Sequence, residues 1–410
     1  MTQPPRPNNQ RARLLFLNVG HFVDRLFMLI FAKAAFSAGL GFGLAQDGAY
    51  AEMIPYGVPS LILFGAGAPI AAHMADKWNR NGMIAVFFIG IGIASIATSF
   101  ATSPLGIGIG LAAIGVFASI YHPIGIAMIV EGGGKVGGRL GANGVWGNMG
   151  VAAAPLITGF VLADYDWRLA FVLPGVVSIL IGLGFVAFVR AGRIRPPEPS
   201  SREKAHVGFR PGWKRALFAL ALVSSAGGFV FGAMTFVIPR MFEVLMTDIS
   251  IDVAVTGALA AVVYAGASWA QLGTGRLIDR RRIKPVLLCV ALGQPVLIGL
   301  MATQTDYGLF AASLLAMAFV FGQIPITDAV LSRYVPDEWR AKVLSVKFML
   351  NLVIGAGALM MARTILAAGG GFDTIMMVLA IAGGLVFLSA LLLPAQAGQE
   401  AVPATASPVE

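Results

Sequence analysis

The sequence predicts an all-α membrane protein: twelve transmembrane helices arranged as two parallel six-helix bundles around a central cavity. Three observations lead there. The 410 residues are 57% apolar and only 12% charged, where soluble domains carry about 25% charge. The apolar runs reach the roughly 20 residues that a helix needs to cross a bilayer. The connections between runs alternate between strongly basic and nearly base-free, as polytopic helical proteins require and barrels do not.

The runs fall at 14–38, 52–75, 82–101, 105–130, 140–163, 168–189, 215–238, 253–276, 285–303, 307–330, 343–366 and 374–394. Arg6, Arg11 and Arg13 precede the first, which contains NVGHFVDRLF at 18–27; its polar cluster spoils a cleavable signal, so an uncleaved first helix is expected. Lys77 and Arg80 follow the second run, and the third is free of charge. The fourth carries Gly106, Gly108 and Gly110, which suit close helix packing, then Tyr121-His122-Pro123, and ends at Glu131. Lys135 and Arg139 lead into the fifth, with Asn143 and Asn148; the sixth is uncharged in its interior. RAGRIRPPEPSSREKAHVGFRPGWKR follows, rich in Pro and Arg. The seventh run includes the uncharged LVSSAGGFVF, and the eighth holds Gln271 and ends in a basic cluster from Arg276 to Lys284. The ninth has Gln294 and the single Cys289, the tenth Gln323 and Asp328, the eleventh Lys347 and Asn351, and the twelfth no charge in its interior.

All of the 29 basic residues except Arg25, Lys33, Arg168, Arg240, Lys347 and Arg363 then lie at or beside one set of alternate connections. By the positive-inside rule both termini and the 191–213 connection are cytoplasmic, in a multi-pass protein of the inner (cytoplasmic) membrane. The net charge of +9 is therefore topological, and nucleic acid is not an expected partner. One cysteine allows no disulfide framework, and His21, His73, His122 and His206 are too scattered for metal ligation. No cofactor is expected, nor an enzyme: no nucleophile–base pair appears, and EGGGKVGG at 131–138 lacks the spacing of a phosphate loop, which also excludes an ATP-driven pump.

An internal repeat organises the chain. AHMADKWNRN (72–81) has a counterpart in GRLIDRRRIK (275–284), Asp76 matching Asp279. The same offset pairs Pro123 with Pro325 and Asn148 with Asn351, within one residue. The expected units are a bundle at 1–190, a linker at 191–213, a second bundle at 214–394 and a disordered cytoplasmic tail at 395–410. Parallel repeats of this kind are a secondary-transporter arrangement with the substrate site between them near the midplane.

Together these features resemble the major facilitator superfamily. Its signature after the second helix appears here as Asp76, Lys77 and Arg80, with Ala72 and Asn79 at the usual glycines and Asn81 at the last basic position. The second copy keeps Gly275, Asp279 and Arg280 but has Arg282 where a glycine is usual. DWRLAFVLPG (166–175) also matches, and GNMGVAAAPLITG (147–159) is similar to the fifth helix of drug antiporters, apart from Ala154 before Pro155. NVGHFVDRLFMLIF and YHPIGIA look most like the fosmidomycin-resistance branch of exporters. The resemblance implies a cytoplasmic charge latch of Asp76, Lys77 and Glu131, with Arg80, Arg139, Asp279 and Arg280 around it. Asp76 is expected to face the start of the eleventh helix, whose free N–H groups carry partial positive charge. It also implies that helices 3, 6, 9 and 12 lie outermost, which suits their near-absence of polar residues.

The polar residues fall on inner helices instead, where charges face the bundle interior or water. At 100° per residue, Asn18, His21, Asp24 and Arg25 share a ~120° arc, with Asp24 and Arg25 ~15–17 Å deep. Asp24 and His21 are the candidate proton carriers, and either could hold the proton; burial and the neighbouring Arg25 act on Asp24 in opposite senses. Arg25, Asn18, His122, Tyr121, Asn148, Asn351 and Gln271 are the candidate substrate contacts, suited to an anionic or zwitterionic compound. Lys33 comes out near the far interface and is read as snorkelling. The expected activity is proton-coupled export of a small organic molecule by a monomer in the bilayer. Import of an organic anion or sugar-like nutrient, or ligand sensing without transport, is the alternative.

Overall fold

The computed structural model describes residues 9–131, 136–194 and 208–394. The tail at 395–410 and the linker between 195 and 207 lie outside the described residues, as do the side chains of Arg340 and Lys342. The helices are α1 (Gln10–Gly41), α2 (Ala49–Met53), α3 (Val58–Lys77), α4 (Arg80–Ser99), α5 (Pro104–Ala118), α6 (Tyr121–Glu131) and α7 (Val136–Asp164). They continue with α8 (Leu169–Arg190), α9 (Trp213–Leu245), α10 (Val253–Arg280), α11 (Ile283–Met301), α12 (Asp306–Tyr334), α13 (Asp337–Ala367) and α14 (Phe372–Leu391). With α2 and α3 joined by a 3₁₀ turn at Ile54–Gly57, and α5 and α6 taken together, twelve spans among the described residues are long and apolar enough to cross a membrane.

Short polar residues start several of these helices. The side chains of Asn9, Asn79, Ser103 and Asp252 each accept a hydrogen bond from a first-turn N–H, at 3.0, 2.5, 3.1 and 2.7 Å, satisfying donors that have no partner within the helix. Gly369 ends α13 with φ +82°, a conformation that costs glycine nothing. The fourth span breaks at Ser119-Ile120. Pro123 has no N–H to offer the Ser119 carbonyl, and it sits in the first turn of α6, where its fixed φ is tolerated.

The packing repeats as the sequence does. In the first half α1 packs on α7, α3 on α5, and α4 on both α5 and α8. In the second half α9 packs on α13, α10 on α12, and α11 on both α12 and α14. The halves meet through α7 with α10, α3 with α13 and α1 with α9. Helices α4, α8, α11 and α14 pack principally within their own half; these are the third, sixth, ninth and twelfth spans, the ones poor in charge. Gln294 of α11 is fully buried and donates to Gln323 of α12 at 2.6 Å, inside the second half.

Both ends of the described chain and the 191–194 segment share one face: the Asn9 N–H donates to the Arg193 carbonyl at 2.8 Å, and Arg215 donates to the Leu392 carbonyl at 2.8 Å. On the opposite, far face the halves are in contact. Tyr50 donates to the Phe236 carbonyl at 3.2 Å. A Cβ on Gly257 would strike the Pro155 carbonyl oxygen and lie 3.2 Å from Gly159. Towards the terminal face they separate. Gly65 of α3 is buried against Met349 and Leu352 of α13, whereas Asp76, on the same stripe of α3, is 72% exposed. On α7, Asn148 donates to Gln271 of α10, but Gly144 and Gly141, further along, have no side-chain neighbour within 4 Å of an added Cβ. The two halves therefore close on the far face and splay on the terminal face.

Candidate functional site

The polar residues of α1 do not act as one face; they divide between two neighbours. The His21 Nδ1 lies 2.8 Å from the Asn143 carbonyl and 3.0 Å from its Oδ1, both acceptors, so Nδ1 is the donor there. Asn143 in turn donates to Asn18 Oδ1 at 3.1 Å and to the Tyr121 hydroxyl at 2.9 Å. Tyr121 donates to the Leu17 carbonyl at 2.6 Å. Its ring is fully buried, and a Cβ on Gly20 or Gly125 would come within 2.7 or 2.8 Å of it. Tyr121 and Asn18, expected as substrate contacts, thus belong to a network that ties α1, α6 and α7 together inside the first half. A closed ring of hydroxyl and amide leaves Tyr121 no free group to offer a ligand.

Asp24 is fully buried near the middle of α1. The imidazole beside it is that of His122, with Nε2 3.3 Å from Oδ2 but not aligned for a hydrogen bond. Asn143 holds His21, and a residue on another helix faces Asp24. The His122 ring stands 4.4 Å from that of Phe348 in the second half, tilted by 36°, and 5.6 Å from Phe64. Phe348 also meets Phe64 edge-on at 5.2 Å. Glycines let α7 come close enough to α1 for this arrangement. A Cβ on Gly147 would meet the His21 ring at 2.5 Å, and one on Gly150 would strike the Phe22 carbonyl oxygen.

Arg25 lies beside Phe348 of the second half. It is half-buried, its guanidinium carbon lies 5.9 Å from the Phe348 ring centroid, and among the described residues no carboxylate pairs with it. Asn148 and Gln271 bond to each other across the two halves. Asn351 packs on Gly228 of α9, and its Oδ1 is buried without a partner. Arg25, Asn148 and Gln271 therefore lie where the halves face each other, with Phe348 next to Arg25 and Asn351 packed on α9 within the second half.

The terminal-face charges also depart from expectation. Glu131 pairs with Arg80, and with Arg13 at 3.5 Å; Arg13 also donates to the Met128 carbonyl at 2.7 Å. Arg80 reaches Asp76 at 3.8 Å. Among the described side chains the cluster joins α1, α3, α4 and α6 within the first half. Lys77, expected in the latch, is exposed, and Arg80 takes its place because it opens α4 beside Glu131. Arg139 is half-buried with Nη1 unpartnered, and Asp279 and Arg280 are exposed. In the second half Lys347 pairs with Asp328 at 2.6 Å and bonds to Thr327 at 2.7 Å.

Lys33 does not snorkel. Its side chain is fully buried and pairs with Glu243 of α9 at 2.5 Å, while donating to Thr256 of α10 at 3.1 Å. Arg240 pairs with the other Glu243 oxygen at 2.5 Å and lies 3.4 Å over the Phe36 ring of α1. An ionisable residue within a span is a functional candidate by default, and that rule, rather than distance from the midplane, would have singled out Lys33. Nothing in the sequence marked Phe348. Among the described residues no group of three or more His, Cys, Asp or Glu side chains could hold a metal.

Comparison with known proteins agrees with this architecture. The Major Facilitator Superfamily model matches residues 14–245 and 223–408. Puromycin resistance protein pur8 of Streptomyces alboniger is 32% identical over 126 residues, 30% of this chain and 25% of that protein, so the match spans about a quarter of the relative's length. A bacterial homologue of the human lysosomal transporter Spinster, in an inward-facing and occupied conformation, superposes with a TM-score of 0.70 at 17% identity over 94% of this chain and 95% of that one. A D-xylose–proton symporter gives 0.71 at 13% identity, covering 94% and 97%. Matched along both halves by its sequence and sharing the fold of its transporters, the chain belongs to the Major Facilitator Superfamily.

Proposed function

We propose that the protein is a proton-coupled exporter that moves a small organic molecule by alternating access between its two halves. The observation that carries the coupling is Asp24, buried at mid-span with the His122 imidazole 3.3 Å away. Such a pair holds one proton in either of two forms, acid with imidazole or carboxylate with imidazolium. A change between them alters the charge facing Phe348, which belongs to the other half. His21 is the orienting partner: held at Nδ1 by Asn143, it packs edge-on against His122 at 5.1 Å.

Arg25 is the substrate contact, a guanidinium between the halves without a carboxylate of its own among the described residues. An unpaired cation at such depth suits the anionic group of an amphipathic substrate, with Asn148, Gln271 and Asn351 as further polar contacts. Charge placement puts both termini in the cytoplasm, so the splayed face opens inward, in a monomer of the cytoplasmic membrane. The partial likeness to a puromycin resistance protein supports export.

The test is proton flux in proteoliposomes on addition of candidate organic anions, drugs and sugars. Asp24→Asn and His122→Asn are expected to retain substrate binding but lose substrate-driven proton movement. Full coupling in Asp24→Asn overturns the assignment. Proton movement in the same direction as the substrate replaces export with import, and binding without flux replaces both with sensing.

A further inference from the structure

The far face is held shut by charges that bridge the two halves. Lys33 on α1 pairs with Glu243 on α9 and donates to Thr256 on α10, so one ammonium ties one half to two helices of the other. The pair is nearly dry, the side chains being 0% and 10% exposed. Arg240, three residues before Glu243 on the same helix, holds the second carboxylate oxygen.

We infer that Lys33, Arg240 and Glu243 form the far-face gate of the transport cycle, in which Glu243 is shared between a cation of the other half and a cation of its own helix. The inference rests on the alternating-access reading. Opening the far face must carry α1 away from α9 and α10, and Lys33 leaves Glu243 as it goes. An unpaired buried carboxylate would make that separation very costly. Arg240 removes the difficulty: being on α9 it travels with Glu243, so the carboxylate keeps an ion pair in both states. Lys33 supplies the closure, and Arg240 makes the closure reversible.

The two cations therefore act in opposite senses, although both touch the same carboxylate. Without Lys33 the closed state loses its bridge while Glu243 stays neutralised by Arg240. Without Arg240 the bridge stays, and opening strands Glu243. Arg240 also lies over Phe36 of α1, a contact across the halves worth less than a buried ion pair. Phe36→Leu removes that contact alone.

The full-length protein in proteoliposomes tests the gate by thiol labelling. Cys289→Ser removes the one native thiol, and Gly141→Cys places a reporter in the terminal-face opening, where a Cβ has no neighbour within 4 Å. Lys33→Met is expected to slow labelling by roughly tenfold as the population moves to the far-open state. In the Phe36→Leu background Arg240→Gln is expected to leave labelling at or above the parent rate and to slow turnover. The exchange Lys33→Glu with Glu243→Lys is expected to restore labelling lost in either single variant. Lys33→Arg, which keeps the pair, shows that the site tolerates substitution, with labelling within about twofold of the parent.

Equal slowing by Lys33→Met and Arg240→Gln overturns the shared-carboxylate gate, as does unchanged labelling in Lys33→Met. A Gly257→Ala variant separates this failure from that of alternating access. If it shifts labelling while the gate variants do not, the gate is wrong and the cycle stands. If nothing shifts labelling, the alternating-access reading falls with it.

Discussion

Adding a single methyl group where α7 and α10 touch should turn the protein towards its other state. In Gly257→Ala the new Cβ strikes the Pro155 carbonyl oxygen and comes within 3.2 Å of Gly159. All of these are backbone atoms, which cannot rotate aside as a long side chain would. Overpacking of a tight contact costs about 1–3 kcal/mol. Alanine also gains up to about 1 kcal/mol over glycine in helix propensity, but that gain is the same in every state of the cycle and cancels between them. The steric cost falls only on the state in which the far face is shut. At about 1.4 kcal/mol per tenfold change, the equilibrium moves roughly 5- to 140-fold towards the far-open form. The assay is the labelling rate of Gly141→Cys in a Cys289→Ser background, which should fall by up to that factor. Thermal unfolding measured alongside should shift upward or stay level. Unchanged labelling in a folded variant would refute the reasoning, because it would mean the contact is not specific to one state.

Tyr121→Phe should lower stability by about 1–2 kcal/mol, since a buried hydroxyl bonded to Leu17 and Asn143 is lost; thermal unfolding in detergent reads this, and substrate KM should not change. Gln294→Leu should cost about 0.6–1.7 kcal/mol by leaving Gln323 without its donor, and adding Gln323→Leu should recover part of it in a double-mutant cycle. Arg80→Gln should loosen the first half at the terminal face, visible as faster proteolysis there, while Gly141→Cys labels at the parent rate, because among the described side chains the Glu131 cluster pairs residues of the first half. Gly147→Ala should displace the His21 ring and weaken proton coupling more than it weakens substrate binding.

What the sequence made legible was whatever depends on one helix at a time. Spans, their count and the outward position of the charge-poor helices follow from hydropathy and from the cost of charge in lipid, both local properties. The break before Pro123 is local too. Partner choice is not. His21 and Asp24 sit one turn apart on α1, yet Asn143 holds the one and His122 faces the other, and no spacing on α1 foretells which helix arrives opposite. Lys33 misled for the same reason: its depth suggested an escape to the interface, but Glu243 lies more than two hundred residues away, in the other half. Glu131 found Arg80 instead of Lys77 because the Asn79 cap sets α4 going from Arg80 beside Glu131, whereas Lys77 ends α3 exposed.

The break in the fourth span makes α6 a separate rod with an ionisable group at each end. His122 stands at one end beside Asp24, and Glu131 at the other among Arg13 and Arg80. Nine residues at 1.5 Å each make the rod about 13 Å long, with a pivot at Ser119-Ile120. A tilt of a few degrees that eases the imidazole away from the carboxylate sweeps the glutamate sideways by an ångström or so. Under the proposed proton coupling the rod is a lever, its short arm at the Asp24–His122 pair and its long arm at the Arg13 and Arg80 pairs with Glu131.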